Sequence, residues 1–383
     1  MAEGLRGKTA IVGTGLAGLG EAPGYTHLEL LAEAAGEALG EAGLTLADVD
    51  GLFTSNLVNF VPTLTVGEYL GIRPKFADGT NVGGSSFLAH VMSATAALEA
   101  GLCEVALICY GSNQRTASGK LVTAADPPVH EAAYKPRYPI IAYALATARH
   151  MHQYGTTREQ LAEVAVSARQ WAKLNPDAYE RGDLSVDDVM GARMICDPLT
   201  VRDCCLVTDG AGAIVMVRSD RARDMPQKPA YVLGGAAAQW HRQISSMPDL
   251  TVSAAAESGA RTFAMAGMKP SDVDVVQLYD AFTINVPLFL EDLGFCEKGE
   301  GGPFVSGGRI APGGSLPVNT NGGGLSCAHP GMYGIFTLVE GVRQIRGNTG
   351  ERQIPNVNVA LCHGNGGTLS SQASVLLGSE NTL

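Results

Sequence analysis

The chain carries one structural pattern twice, and this internal duplication limits its possible folds more than any other feature. Residues 42–50 (AGLTLADVD) resemble residues 266–274 (AGMKPSDVD), and each segment follows an alanine-rich stretch and leads into a short apolar run. Residues 105–111 (VALICYG) likewise resemble residues 357–364 (VNVALCHG). The repeat is far too long for a solenoid, so we expect two similar α/β halves.

Each half has the predicted order strand, helix, strand, helix, strand, which favours mixed or parallel sheets covered by helices. The predicted halves are residues 1–225 and 226–383. Residues from about 116 to 196 have no counterpart in the second half, and we predict that they form an inserted loop domain over the site. In the first half we expect a strand at 51–54, helices at 85–100 and 158–173, and a hairpin turn at 209–213. In the second half we expect a strand at 275–278 and a helix at about 331–346. The insert also contains a proline-rich stretch, at Pro127, Pro128, Pro136 and Pro139.

Charge and composition exclude several classes of function. The net charge of −11 argues against nucleic acid as a partner. No signal-peptide pattern or bilayer-spanning apolar run is present in the sequence, so we expect a cytoplasmic protein without membrane insertion. The 8 cysteines include no C-x-x-C pair. We therefore expect neither a metal site nor a disulfide scaffold within this chain.

Four short motifs are candidates for the chemistry of the site. Residues 81–86 (NVGGSS) open a helix rich in small residues after a strand-like run. The other three lie in the second half, at residues 279–282 (YDAF), 323–330 (GGLSCAHP) and 360–366 (ALCHGNG). Each motif alone is weak, but their order and spacing agree with the duplication.

With these motifs the chain resembles the thiolase superfamily. The resemblance extends over essentially the whole length of the chain and is strongest to the sterol-carrier-protein type of thiolase. The pair Cys204-Cys205 before residues 209–211 adds to the resemblance. It implies a five-layered αβαβα arrangement with two mixed five-stranded sheets, an acyl-CoA substrate and a homodimer. Thiolase relatives that cleave steroid side chains as aldolases also require a small partner with a zinc ribbon and an OB-fold, so the resemblance implies such a partner here.

Two departures from the family pattern bear on the reaction. Gly83 stands where thiolases have the nucleophilic cysteine, and Tyr279 replaces the motif asparagine. Ser85 and Ser86 are not expected to replace the nucleophile, because a serine needs an activating base. We expect Gly83 to leave space for a bulky substrate.

The resemblance and the chemistry together give a set of candidate catalytic residues. His329 is the candidate donor to an enolate oxygen, and Cys362 the candidate acid at the α-carbon. His363 follows Cys362 and could face the pocket if the chain turns there. Tyr279 and Tyr333 are candidates for a base, an acid or an orienting hydroxyl.

Each of these residues also has a purely structural interpretation. His329 could cap the following helix, Cys362 could be a buried strand-end thiol, and either tyrosine could be a half-buried aromatic. Tyr333 lies four residues after His329, so the two share a face if the segment is helical. Asp280 is a further candidate in the catalytic set, and it is expected to fix its loop or to polarise a neighbouring group rather than to take protons itself. The expected substrate-binding residues are Gly83, Gly84, Ser85, Gly323, Gly324 and Gly364.

The hypothesis that best fits a missing nucleophile is retro-aldol cleavage of a 3-hydroxyacyl-CoA, with a steroid side chain or a similarly bulky acyl group. This reaction releases a ketone or aldehyde and needs no acyl-enzyme. One alternative is acyl transfer, as in an acetyl-CoA acetyltransferase, and another is a non-catalytic protein that binds acyl-CoA or lipid. No tightly bound cofactor is expected, because coenzyme A enters as part of the substrate.

Overall fold

The strands of the chain form one large mixed sheet and a small hairpin. The computed structural model describes residues 3–118 and 130–383, so Pro127 and Pro128 of the proline-rich stretch lie outside the described residues. The strands are β1 (Thr9–Gly20), β2 (Gly51–Thr54), β3 (Phe76–Asp78), β4 (Ala106–Ser112), β5 (Met194–Cys196), β6 (Leu199–Thr200), β7 (Asp209–Arg218), β8 (Ala230–Gln239), β9 (Val275–Leu278), β10 (Val359–Gly366) and β11 (Ser371–Gly378).

The large sheet has the strand order β3-β2-β4-β7-β1-β8-β11-β10-β9, and β5 and β6 form a separate two-stranded sheet. The pairs β2–β3, β2–β4 and β9–β10 are parallel, and the five pairs between β4 and β10 are antiparallel. Strands β2, β4, β7 and β1 of the first half therefore correspond to β9, β10, β11 and β8 of the second. This mirror order is the structural form of the duplication.

The predicted α/β class is confirmed, but the division of the sheet differs from the expected two five-stranded sheets. The halves meet where Ala10 pairs with Tyr231 and Ile11 with Ala230, so hydrogen bonds join them into one 9-stranded sheet. The counterpart of β3 is reduced to a single bridge between Val276 and Val318. The division predicted at residues 225 and 226 falls between α7 and β8.

Helices cover both faces of this sheet. They are α1 (His27–Glu41), α2 (Pro62–Leu70), α3 (Ser86–Glu99), α4 (Ile140–Tyr154), α5 (Arg158–Lys173), α6 (Val186–Met190), α7 (Ser219–Ala222), α8 (Ala255–Ala266), α9 (Asn285–Asp292), α10 (Gly301–Val305) and α11 (Gly334–Arg346). Among the described residues, no helix is long and apolar enough to cross a membrane.

The two central helices determine where the site lies. Helices α3 and α11 contact each other and strands of both halves, whereas α1 packs on the first half and α8 on the second. Glycine allows α1 to lie close to β1, because a Cβ at Gly13 would lie 1.9 Å from the Ala38 carbonyl oxygen. The N-terminal ends of α3 and α11 come together, and both follow a predicted functional motif.

Several predicted elements have the predicted bounds, and two do not. Strands β2 and β9 and helix α5 are as predicted, and α5 begins at a capping box formed by Thr157 and Gln160. The hairpin turn predicted at residues 209–213 is wrong, because this segment is the first part of β7 and pairs with β1 and β4. Helix α11 begins three residues later than predicted, after Gly331 at a φ of +97°.

Candidate active site

The candidate site forms where the starts of α3 and α11 meet the ends of β9 and β10. A Cβ at Gly84 would lie 2.0 Å from Cε2 of Tyr279 and 2.8 Å from the carbonyl oxygen of Asn365. Only glycine fits at a contact this close. The Tyr279 ring therefore packs directly on the loop that holds the nucleophile in thiolases.

Tyr279, His329 and Tyr333 form one aromatic cluster. The Tyr279 hydroxyl lies 2.9 Å from Nε2 of His329 and 3.1 Å from the Gly331 carbonyl oxygen. The His329 and Tyr333 rings are nearly parallel, with centroids 6.2 Å apart. His329 and Tyr333 were predicted to share one face of a helix. Their rings do lie side by side, but residues 329–333 precede α11 and are not helical.

Burial keeps the cluster uncharged near neutral pH. His329 is 9% exposed, and burial lowers the pKa of its imidazole to about 4. Burial also raises the pKa of the Tyr279 and Tyr333 phenols well above the ordinary value. The Tyr279 hydroxyl has one proton for two acceptors, so it donates either to Gly331 or to a His329 ring whose Nε2 is unprotonated.

Tyr333 and Asp280 are each held by a nearby polar loop. The nitrogen and the oxygen of the Asn321 side-chain amide both lie within 3.0 Å of the Tyr333 hydroxyl. The Asp280 carboxylate accepts a 2.6 Å hydrogen bond from the Gly324 amide, and burial raises the pKa of Asp280 to about 7. Asp280 thus holds the glycine loop, which is the contact its predicted role requires.

The residues predicted to bind substrate surround the cluster, but most of their polar groups already make hydrogen bonds within the chain. The Gly323 amide donates to Asn321 Oδ1 at 2.8 Å, and the Ser85 hydroxyl donates to the Val82 carbonyl at 2.9 Å. A Cβ at Gly364 would lie 3.0 Å from the Cα of Ser85. These residues bring the two halves close together and do not line open space in this conformation.

The expectation that Gly83 leaves space for substrate is wrong in this structure. Gly83 has a φ of +73°, and a Cβ there would lie 2.8 Å from the Cα of Gly366. The backbone of residues 366–367 fills the direction in which a side chain would point. A cysteine at position 83 would need a different backbone conformation.

Cys362 and His363 do not join the cluster, which corrects two predicted roles. The Cys362 thiol is fully buried against α11, where it donates to the Thr337 carbonyl at 3.2 Å. Burial raises its pKa far above the ordinary thiol value. His363 points to the other face of β10, with its ring nitrogens 2.8 Å from Ser374 Oγ and 3.0 Å from Gln372 Oε1.

Three polar side chains near the cluster were not predicted. Tyr143, from α4, accepts a 2.7 Å hydrogen bond from the Asn365 amide nitrogen. The backbone amide of Cys205 donates to the Ala281 carbonyl at 2.8 Å, and its half-buried side chain lies near Tyr279 and Tyr143. Asn365 lies within a motif, so its position alone could have singled it out; nothing in the sequence around Tyr143 indicates a site.

A cavity of about 600 Å³ lies on the surface among residues 306–315, and neither Tyr279 nor His329 lines it. Within residues 3–118 and 130–383, no group of three or more His, Cys, Asp or Glu side chains could hold a metal ion. The phenol and imidazole groups of the cluster can transfer protons and make hydrogen bonds.

The duplicated fold and the paired motifs define a thiolase-type protein, and comparisons with known proteins agree. Residues 236–379 match the family described as "Thiolase C-terminal domain-like". The "Steroid side-chain-cleaving aldolase" of Thermomonospora curvata is 33% identical, over 94% of this chain and 96% of that protein. The "Acetyl-CoA acetyltransferase" of Methanothermobacter thermautotrophicus is 32% identical, over 94% and 96%.

A solved structure is also similar to this chain over nearly its whole length. The structure named "Ltp2-ChsH2(DUF35) aldolase" matches with a TM-score of 0.89 and 33% identity, over 98% of this chain and 99% of that chain. The chain belongs to the thiolase superfamily, within the group that contains the sterol-carrier-type thiolases and the steroid side-chain-cleaving aldolases.

Proposed function

We propose that this protein cleaves the Cα–Cβ bond of a 3-hydroxyacyl-CoA by a retro-aldol reaction. The observation that carries this proposal is the Tyr279 hydroxyl, 2.9 Å from His329 Nε2, with its ring packed against Gly84. A phenol and an imidazole thus occupy the place beside the nucleophile loop. They can move a proton but cannot form a thioester with the substrate.

The proposed reaction is a proton relay without an external reagent. Tyr279 takes the proton of the 3-hydroxyl while its own proton passes to His329. The Cα–Cβ bond breaks, the 3-carbon becomes a ketone or aldehyde, and the electron pair forms the enolate of the shorter acyl-CoA. The imidazolium of His329 stabilises this negative charge, and the proton returns through Tyr279 to the enolate carbon.

The return of the proton through Tyr279 replaces the predicted role of Cys362. The Cys362 thiol faces α11 and His363 faces the opposite side of β10, so another group must protonate the enolate carbon. Tyr333 is the second candidate, because its ring stacks beside His329. No tightly bound cofactor enters this scheme, and coenzyme A belongs to the substrate.

We further propose that the active form is a homodimer in the cytoplasm, together with a small partner that has a zinc ribbon and an OB-fold. The proposal of a partner is supported by the related aldolase structure, whose name "Ltp2-ChsH2(DUF35) aldolase" includes a second component. A bulky acyl group such as a steroid side chain is supported by the name of the Thermomonospora curvata relative.

The test is an assay of the chain co-expressed with a small zinc-ribbon and OB-fold protein of the kind proposed as its partner. A panel of 3-hydroxyacyl-CoA esters, from short to steroid-like, is incubated with the complex, and aldehyde, ketone and shorter acyl-CoA are measured. We expect release without added free CoA and no acyl-enzyme by intact mass. A trapped acyl-enzyme and a requirement for free CoA would instead identify acyl transfer, whereas binding without turnover would identify a non-catalytic protein.

A further inference from the structure

Helix α4, within the inserted segment, brings a third tyrosine, Tyr143, next to the site. The Tyr143 ring stacks on Phe282 of the YDAF motif, with centroids 4.3 Å apart. Its hydroxyl accepts the 2.7 Å hydrogen bond from Asn365, while its own proton is directed, among the described residues, to the Gly367 carbonyl at 3.4 Å. Because 3.4 Å is long for an O–H donor, the Tyr143 hydroxyl can still donate to a ligand.

A buried amide beside Tyr143 makes no hydrogen bond of full geometry within the described residues. Asn285 is fully buried at the start of α9, and neither its Oδ1 nor its Nδ2 meets the distance and angle of a hydrogen bond with another described residue. Its side chain lies close enough to Tyr143 to oppose the rise in the phenol pKa that burial causes. An unpaired buried amide is rare and destabilising, so it indicates a position that another molecule completes.

This pair lies next to the Tyr279–His329 cluster. Asn365 connects the two groups. Its side-chain amide donates a hydrogen bond to the Tyr143 hydroxyl, and its backbone carbonyl oxygen and the Tyr279 ring both lie against Gly84. Residues 205–207, which are half-buried, pass beside Ala281 at the same place. A 3-hydroxyl group that contacts Tyr279 is therefore also close to Tyr143.

We infer that Tyr143 and Asn285 form a subsite for the 3-hydroxyl oxygen of the acyl group, a conclusion that rests on the proposed function. The subsite offers two kinds of donor, an O–H and an amide N–H, and one carbonyl acceptor. A hydroxyl uses both donor and acceptor groups, whereas a carboxylate would leave the acceptor unpaired. None of the hydrogen bonds that Tyr143 and Asn365 make within the described residues comes from a lysine or arginine, which favours a neutral ligand.

The matched ligands are hexanoyl-CoA and 3-hydroxyhexanoyl-CoA, which differ by this one oxygen. Their dissociation constants are measured by calorimetry on the complex, for the natural chain and for Asn285→Leu and Tyr143→Phe. We expect the 3-hydroxy ester to bind roughly tenfold more tightly to the natural chain, and this preference to disappear in both variants. Tyr154→Phe, at the end of the same helix, is the control and should keep the preference.

Folding is monitored by thermal unfolding of the same variants. Asn285→Leu is expected to keep or raise the unfolding midpoint, because it removes an unpaired buried amide without changing the size of the side chain much. A preference that survives in both variants, or that is absent from the natural chain, overturns the inference. The binding result is independent of turnover: a chain that prefers the 3-hydroxy ester but releases no aldehyde would contradict only the proposed reaction.

Discussion

At the scale of single residues, the two candidate tyrosines differ in what holds their hydroxyls. The Tyr279 hydroxyl contacts His329, which can take its proton, whereas the Tyr333 hydroxyl contacts the Asn321 amide, which cannot. We therefore predict that Tyr279→Phe lowers kcat by about 10²–10⁴-fold, the range expected for loss of a general acid–base group. Tyr333→Phe should cost roughly tenfold. Steady-state rates of aldehyde or ketone release measure both.

The control for this prediction is Tyr231→Phe, which makes the same chemical change at a buried tyrosine in β8, where the two halves join. It should leave kcat within twofold of the natural chain, on the order of experimental scatter. Equal losses for Tyr279→Phe and Tyr333→Phe would show that the contact with His329 does not select the base.

Cys362 is the residue for which the motif and the structure disagree most clearly. Its thiol is enclosed by α11, and a Cβ at Gly341 would lie 2.6 Å from its sulfur. We predict that Cys362→Ala keeps kcat within about twofold but lowers the free energy of unfolding by roughly 1–2 kcal/mol, because it leaves a small cavity. Chemical denaturation and the cleavage assay measure the two effects. A large loss of turnover in a folded variant would restore Cys362 to the mechanism.

At the scale of elements, the approach of α3 to β9 depends on a single glycine. Gly84→Ala would place a methyl group 2.0 Å from the Tyr279 ring, so the ring or the helix start must move. We predict a loss of at least about 10²-fold in kcat, since small displacements of reacting groups are costly. Gly36→Ala is the matched control: no atom lies within 4 Å of its added Cβ, on the exposed side of α1. It should raise stability by about 0.5–1 kcal/mol without changing kcat.

Elements were predictable from sequence where local signals were sufficient. Helix α5 has a capping box at Thr157 and an amphipathic pattern, and its predicted bounds are correct. The start of α11 was placed three residues too early, because the pattern gives no sign that Gly331 takes a positive φ. Residues 209–213 look like a glycine-containing turn, but pairing with strands on both sides makes them part of β7. In that segment tertiary hydrogen bonding outweighs local preference.

At the scale of the whole molecule, the duplication predicted the fold and the place where the motifs meet, but not every polar side chain that lies there. Tyr279, His329 and Tyr333 lie in motifs, and the paired halves bring those motifs to the ends of the central helices. Tyr143 comes from the segment without a counterpart, so neither the repeat nor a motif indicated it. Cys362 was misassigned because a motif does not specify which side chains of a strand face the site, and Cys362 faces the buried middle of α11.

The buried ionisable groups of both halves also make the stability of the molecule depend on pH. Burial lowers the pKa of His90 and His329 to about 4 and of His363 to about 3. In the unfolded chain these imidazoles bind protons below about pH 6.5, so each contributes stability that is lost as the pH falls from there toward the folded value. Asp280 acts in the opposite sense: its folded pKa is raised to about 7, so its contribution falls as the pH rises above the unfolded value.

Three histidines therefore oppose one aspartate between about pH 6.5 and 4, and we predict that the unfolding midpoint falls as the pH is lowered through this window. Asp280→Asn separates the two effects, because the amide oxygen can still accept from Gly324 but no longer titrates. The variant should show a steeper fall below pH 6.5, since the opposing contribution is gone. At pH 8 it should unfold at a higher temperature than the natural chain, because no buried charge is left on this side chain. A shallower slope or a lower midpoint at pH 8 would mean that the ionised Asp280 stabilises its glycine loop by more than its burial costs.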